Sequence, residues 1–450
     1  MSKIHQIKEI IDVNLEYLDI SIDTKSRLRE KARKRRGFVM KKYSIASIVV
    51  ITVIVVLLTS FYNSKNIKIY AKDLMEGIIP EEVQIINLSS EFNLATLDFS
   101  IELFKHAYQK DKNSLVSPVS VYLALGMTAN GADGETLQEF EKLLGGYNFS
   151  IEELNRHYYT LAKSFSDIEK GSVNIANSVW YGNEFDINKN FLQVNADYYG
   201  ADAFKVDFNS SKAINGINNW VKNKTQKNIN KIVDTIDPDT IMYLINSIYF
   251  EAEWEEKYAK RAVRKGEFYI DNNNTISVDF MHSNELEYLR NDIGSGFMKN
   301  YKNGRYGFVA LLPDEGISID SYVEYLTAEV FLSTLKNRLN EEIGVAIPKF
   351  KSEYEINLVE TLEEMGLKKC FSSQADFSKM GENNIFLQEV FHKTFIQIDE
   401  NGTKASAATK NEVYKSLIME DIIFDRPFVY AIIDIQTNLP LFIGTMIDPS

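Results

Sequence analysis

The chain has one cysteine, Cys370, in 450 residues. No intrachain disulfide can form, and no metal site can rest on clustered thiolates. Large secreted eukaryotic domains more often carry disulfides. Histidine is nearly as scarce. His5, His106, His157, His282 and His392 are scattered, and no H-E-x-x-H, G-x-S-x-G or G-x-x-x-x-G-K-[ST] motif occurs. The sequence offers no nucleophile–base pair and no phosphate-cradling loop, so no catalytic residue, no metal and no cofactor is expected. Proline (8) and glycine (22) are spread thinly. With no Pro/Gly/Ser-rich linker and no internal repeat after residue 91, the body reads as one large domain or two intimately packed ones.

Positive charge is also lacking, except at one end. Residues 1–42 hold 12 Lys and Arg against 6 Asp and Glu. The rest holds 38 basic against 57 acidic residues. So acidic a body excludes nucleic acid as partner, because phosphate binding needs the opposite sign. Apolar content of 45% and aromatic content of 12% supply a real core and exclude general disorder. Abundant Ile, Asn and Lys suggest an AT-rich bacterial source.

One long uncharged run stands out. "YSIASIVVITVIVVLLTSFY" (43–62) has twenty residues, enough at ~1.5 Å each to span a ~30 Å hydrocarbon layer. A globular helix seldom stays apolar on every face for that length. A cleaved signal peptide has a shorter apolar region nearer the start. The basic cluster "KARKRRGFVMKK" (31–42) places the N-terminus inside. The expected organisation is a cytoplasmic tail (1–42), a transmembrane helix (43–62), an extracellular stalk (63–90) that becomes ordered near the body, and the body itself (91–450). In the tail, Ile4, Ile7, Ile11, Leu15 and Leu18 recur at helical spacing; this suits an amphipathic helix on the membrane or against a cytoplasmic partner.

Helical periodicity fills the early body, at 97–110, 117–132 and 134–144. Strand-like runs follow at 242–254, 306–315, 343–356, 384–402, 426–437 and 441–449. Large sheets beside helices make an α+β class. In "VSPVSVYLALGM", Ser117 before Pro118 reads as a helix cap, with Ser120 one turn in. Asn246 interrupts an apolar strand. His392 on another strand reads as a hydrogen-bonded structural residue and not as a ligand. The charge run at 251–267 reads as a solvated face.

Seven stretches, in order, resemble the serpin family: 113–140, 217–234, 244–258, "IPKFKSEYEINLVETLEEMGLKKCF" (347–371), "FHKTFIQIDENGTKASAATK" (391–410), "RPFVYAI" (426–432) and "PLFIGTMIDP" (440–449). The resemblance implies the serpin fold, with three β-sheets, eight or nine helices and an exposed reactive-centre loop. Ser117, Ser120, Asn246 and His392 match the polar cluster beneath the main sheet. Trp254 matches the tryptophan where that sheet opens. The loop hinge then comprises Glu400, Gly402, Thr403, Lys404, Ala405, Ser406, Ala407, Ala408 and Thr409. These positions control conformation and catalyse nothing.

That resemblance accounts for the blandness of residues 403–409. A cleaved loop that enters a sheet as a new strand must slide beneath packed helices, so its side chains must be small. Strand side chains alternate faces: Thr403, Ala405, Ala407 and Thr409 share one, and Lys404, Ser406, Ala408 and Lys410 the other. Lys404 stands where the family commonly has Glu, and Ser406 where it often has Ala, yet no charge falls on the first face. Asn411 is the one blemish there.

The commonest loop length puts the cut between Ser416 and Leu417, which suits an elastase-like or subtilisin-like protease. Cleavage after Lys415 suits a trypsin-like enzyme, and after Tyr414 a chymotrypsin-like one. The expected protein is a membrane-tethered, extracellular, monomeric inhibitor whose partner is a serine protease. The alternatives are a non-inhibitory binding serpin and a transmembrane sensor.

Overall fold

The computed structural model describes residues 71–450 apart from 147, 167–170, 226, 228, 238–239, 303, 382–384 and 404–421. The expected tail and transmembrane segment lie outside the described residues, as do Lys404–Thr409 of the hinge and Tyr414–Leu417. Among the described residues no helix is long and apolar enough to cross a membrane.

In chain order the elements are β1 (Lys72–Asp73), α1 (Ser90–Ala107), β2 (Ser114–Val116), α2 (Pro118–Ala129), α3 (Gly134–Gly145), α4 (Ile151–Ser166), β3 (Gly171–Gly182), α5 (Lys189–Tyr199), β4 (Asp202–Val206) and α6 (Ser211–Lys224). Then come β5 (Met242–Glu253), β6 (Val263–Tyr269), β7 (Thr275–Asn291), β8 (Gly294–Asn300), β9 (Tyr306–Pro313), α7 (Ile319–Tyr325), α8 (Ala328–Lys336), β10 (Leu339–Pro348) and β11 (Phe350–Asn357). The last are α9 (Val359–Glu364), β12 (Glu389–Asp399), β13 (Gly402–Thr403), β14 (Ile422–Ile423), β15 (Phe428–Asp434) and β16 (Pro440–Met446). Nine α-helices among the described residues agree with the expected eight or nine.

Seven strands form one sheet in the order β1-β4-β3-β5-β13-β12-β11. The other two expected sheets are hydrogen-bonded into one nine-stranded assembly. The reason is β7, whose 17 residues run unbroken: Thr275–Met281 pair with β6, residues from Phe280 to Tyr288 with β10, and Glu287–Asn291 with β8. The apolar run at 343–356 likewise splits at Lys349 into β10 and β11, which belong to different sheets.

Helix starts follow local chemistry. Ser89 caps α1 by accepting from the Phe92 amide at 3.1 Å. Gly146 ends α3 in the left-handed region, with φ 59°. All twelve residues of α2 are buried, as befits a helix apolar on every side. It packs beneath the seven-stranded sheet, against β5 and β3. Residues 71–89 lie along the body. Leu74 N–H donates to the Ala203 carbonyl, Glu81 N–H to Asp197 and Ile86 N–H to Thr160.

The seven-stranded sheet has a core on each face. On one side it meets α1 to α4 and the nine-stranded sheet. On the other, Trp180, Phe204, Tyr243 and Ile245 meet Ile217, Trp220 and Val221 of α6. At ~1.5–3 kcal/mol per buried side chain, those three residues hold α6 down with roughly 5–9 kcal/mol.

Candidate functional site: the parting of the main sheet

Two central strands, β5 and β12, pair directly and in parallel from Tyr243↔Glu389 to Ile248↔Thr394. Beyond that point they diverge, and β13 sits between them, antiparallel to both. Gly402 faces Glu253 and Asp399; Thr403 faces Ala252 and Ile398. The sheet is therefore closed along its middle and wedged open at one end by Gly402 and Thr403.

Several side chains hold that wedge. Gly402 has φ +149°, and a Cβ there would come 2.1 Å from the Ala252 carbonyl oxygen. Close backbone approach thus demands glycine, beyond any need for flexibility. Thr403 is fully buried, and its Oγ1 lies 2.5 Å from the Tyr301 hydroxyl. The first member of the small-residue face therefore points inward. Tyr301 stacks on Trp254, with ring centres 4.5 Å apart. Trp254 grips the turn before the hinge: its Nε1–H donates to the Asp399 carbonyl at 2.8 Å, and its backbone N–H to that of Asn401 at 3.0 Å. Tyr258 N–H donates to the Glu400 carbonyl. The Lys349 ammonium lies 2.6 Å from the Glu400 carboxylate. Burial pushes the Glu400 pKa up, but the hydrogen bond from Lys349, a backbone N–H and the Lys349 and Lys260 charges together hold the group below its ordinary value.

Further along the parting, where the strands touch, lies a second cluster. Ser117 N–H donates to His392 Nε2 at 3.0 Å. Nε2 must therefore be the acceptor, so Nδ1 carries the proton and donates to Asn246 Oδ1 at 2.7 Å. Asn246 Nδ2 in turn donates to the Ser120 carbonyl at 2.8 Å and to Asn177 Oδ1 at 2.5 Å. His392 is wholly buried, and desolvation lowers its pKa to about 3. This neutral tautomer bridges β12 to β5 across the line along which the sheet would part.

The structure brings Ser117, Ser120, Asn246 and His392 together, and Glu400, Gly402, Thr403 and Trp254 together. It corrects one detail. Ser117 stands at the N-cap of α2, yet its hydroxyl caps nothing, and neither it nor the Ser120 hydroxyl has a hydrogen-bond partner among the described residues. Both serines join the cluster through their backbones. Helix α2 places them there: Ser117 stands at its N-cap, with its own N–H free of the helix ladder and given to His392 of β12. Sequence reasoning missed Asn177, Tyr301, Lys349 and Tyr258. Lys349 lies inside the "IPKF" stretch and could have been found there; Tyr301 sits in a polar run with no signal.

No group of three or more His, Cys, Asp or Glu among the described residues could hold a metal ion.

The family profile described as "Serpin (serine protease inhibitor)" matches residues 94–449. An uncharacterized serpin-like protein of Thermococcus kodakarensis is 30% identical over 361 residues, covering 78% of this chain and 84% of that protein. Chicken (Gallus gallus) neuroserpin is 28% identical over 396 residues, covering 83% and 94%. Among solved structures, the thermophilic serpin tengpin in its native state matches with TM-score 0.81 and 46% identity over 84% of this chain and 100% of its own. Its latent state matches less well, with TM-score 0.72 and 44% identity over 82% and 100%. Serpins generally inhibit serine proteases. By profile, relatives and architecture together, this chain belongs to the serpin family.

Proposed function

We propose that this chain is a suicide inhibitor of serine proteases, displayed outside a bacterial cell by a membrane anchor at 43–62. The protease serine attacks the carbonyl of a bond among 414–417. The new amino terminus leaves with a proton, and an acyl ester links the two proteins. The freed segment from Thr403 onward then enters between β5 and β12 and carries the protease with it.

The observation that carries this reading is the wedge: Gly402 and Thr403 already occupy the gap in the right sense, antiparallel to both neighbours. Continuing that register sets Ala405 opposite Phe250 and Ile396, and Thr409 between Asn246 and His392. Insertion thus ends the His392–Asn246 bond and replaces one closed seam by two ladders. At a net ~0.5–1.5 kcal/mol per bond, a dozen new bonds supply on the order of 10 kcal/mol. That matches the whole stability of a typical domain, ~5–15 kcal/mol.

The test is incubation with trypsin, chymotrypsin, elastase and subtilisin. An SDS-stable complex with at least one is expected, together with a large thermal stabilisation of the loop-cleaved protein. A loop cut by all four without complex or stabilisation removes the inhibitory reading. The anchor is tested separately: the full chain should fractionate with membranes and a chain lacking 43–62 should not.

A further inference from the structure

Beside Trp254 and Tyr258, which with Lys349 clamp the turn before Gly402, lies a further charge pair. Lys299 of β8 and Glu285 of β7 are both buried, at 5% and 7% exposure. The Lys299 Nζ lies 2.7 Å from Glu285 Oε1, which also accepts from the Ser283 hydroxyl. The ammonium stands 4.7 Å from the Tyr258 ring centre and 5.9 Å from that of Trp254. Those two aromatics are the ones whose backbone N–H groups hold Glu400 and Asn401.

We infer that the Lys299–Glu285 pair is the positioning element of the hinge clamp: it fixes Trp254 and Tyr258, and so sets how readily the sheet admits a strand. The inference rests on the insertion reading above. Physically, a buried cation attracts the faces of both rings, and its partner carboxylate keeps it in place. Losing either member leaves an uncompensated charge in a dry site. The ion must then draw in water or reorganise, and the nearest movable groups are the two rings above it. Replacing both members by apolar residues of similar volume removes the charge problem and keeps the wall. A single replacement should therefore loosen the clamp, and a double one should restore it. A merely space-filling pair would show no such reversal.

The test uses the full chain in detergent with 5-fluorotryptophan incorporated, and a synthetic peptide copying residues 403–414. Fluorine resonances report Trp180, Trp220 and Trp254 separately, and native gels report uptake of the peptide into the sheet. Lys299→Met and Glu285→Gln should each shift the Trp254 resonance, leave those of Trp180 and Trp220 in place, and speed peptide uptake at least about tenfold; the cost of an unpaired buried charge exceeds that one step of free energy. Lys299→Met/Glu285→Leu should bring peptide uptake back toward the wild-type rate. Unchanged uptake in the single variants, or a double variant as fast as they are, overturns the inference. If the wild-type protein takes up no peptide at all, the insertion reading falls. The Trp254 resonance then decides this inference on its own: one that does not move in Glu285→Gln sinks it.

Discussion

The hydroxyl of Thr403 lies 2.5 Å from that of Tyr301, beneath the gap between β5 and β12. Under the insertion proposed above, this contact sets the parity for the residues that would follow Thr403 into the sheet, and each second one would need to be small and uncharged.

Thr403→Arg breaks that parity at its first member. A guanidinium has no room beside Tyr301 and Trp254, and an unpaired charge buried there costs several kcal/mol. The variant should fold with its hinge outside the sheet and behave as a substrate. Proteases that form complexes with wild type should cut the loop and go free. The fraction trapped, read from SDS gels, should drop at least about tenfold, since ~1.4 kcal/mol already shifts a partition by that factor. Retained trapping refutes the inward assignment.

The Lys349–Glu400 pair spans the root of the hinge and is about three-quarters shielded on both sides. A pair of that exposure contributes about 1 kcal/mol. Glu400→Lys replaces attraction by repulsion, so the hinge should separate from β11's lead-in and the open sheet should accept loops of other copies. Size-exclusion chromatography of samples warmed below their melting point should show chain-linked oligomers for this variant. Adding Lys349→Glu should reverse the effect. Because the Glu400 pKa is lowered on folding, its contribution is present above the ordinary carboxyl value and disappears as pH falls through the lowered one.

His392 gives a pH signature at milder acidity. Its folded pKa is about 3, against 6.5 for the free side chain. Between these values the unfolded chain binds the proton and the folded one does not, so stability is complete above pH 6.5 and declines as pH drops toward 3. One such proton gives a slope of about 1.4 kcal/mol per pH unit. His157, buried against Phe92 and also lowered by desolvation, adds to the slope with the same sign. The comparison is therefore wild type against His392→Gln, by urea unfolding at pH 7.0 and 5.5. The variant should be less stable at pH 7.0 and lose less on acidification. Equal slopes would assign the acid sensitivity elsewhere.

The sequence carried much of this site because its key residues break local patterns. Asn246 and His392 are polar in apolar strands, and residues 403–409 lack bulk next to two hydrophobic runs. Such anomalies are visible without a partner. The rest depends on contacts between distant positions. Tyr301 meets Thr403 across 102 residues, and Asn246 meets Asn177 across 69; neither Tyr301 nor Asn177 departs from its own surroundings. Ser117 misled for the opposite reason: a serine before a proline at a helix start has a sufficient local explanation. The Lys299–Glu285 pair was hidden too, since two charges in half-polar strands suggest exposure and not burial.

Gly402 separates hinge flexibility from hinge fit. If glycine merely lends freedom at the root of the loop, alanine should cost about 0.5–1 kcal/mol and little function. The geometry demands more. A Cβ at 402 meets the Ala252 carbonyl oxygen at 2.1 Å and the Glu253 Cα at 2.8 Å, and both belong to the backbone of β5, which is tied to β3 by its ladder and cannot swing aside. Gly402→Ala should therefore expel residues 402–403 from the gap. Gly146 is the control, because it also has positive φ but has nothing within 4 Å of an added Cβ. Gly146→Ala should lower the melting temperature and leave trapping intact. Gly402→Ala should raise the proportion of inhibitor cleaved without capture, and amide hydrogen exchange at Thr403 should lose its protection. Matching effects from the two glycines would mean that the wedge contributes nothing to trapping, and that strand entry begins beyond Thr403.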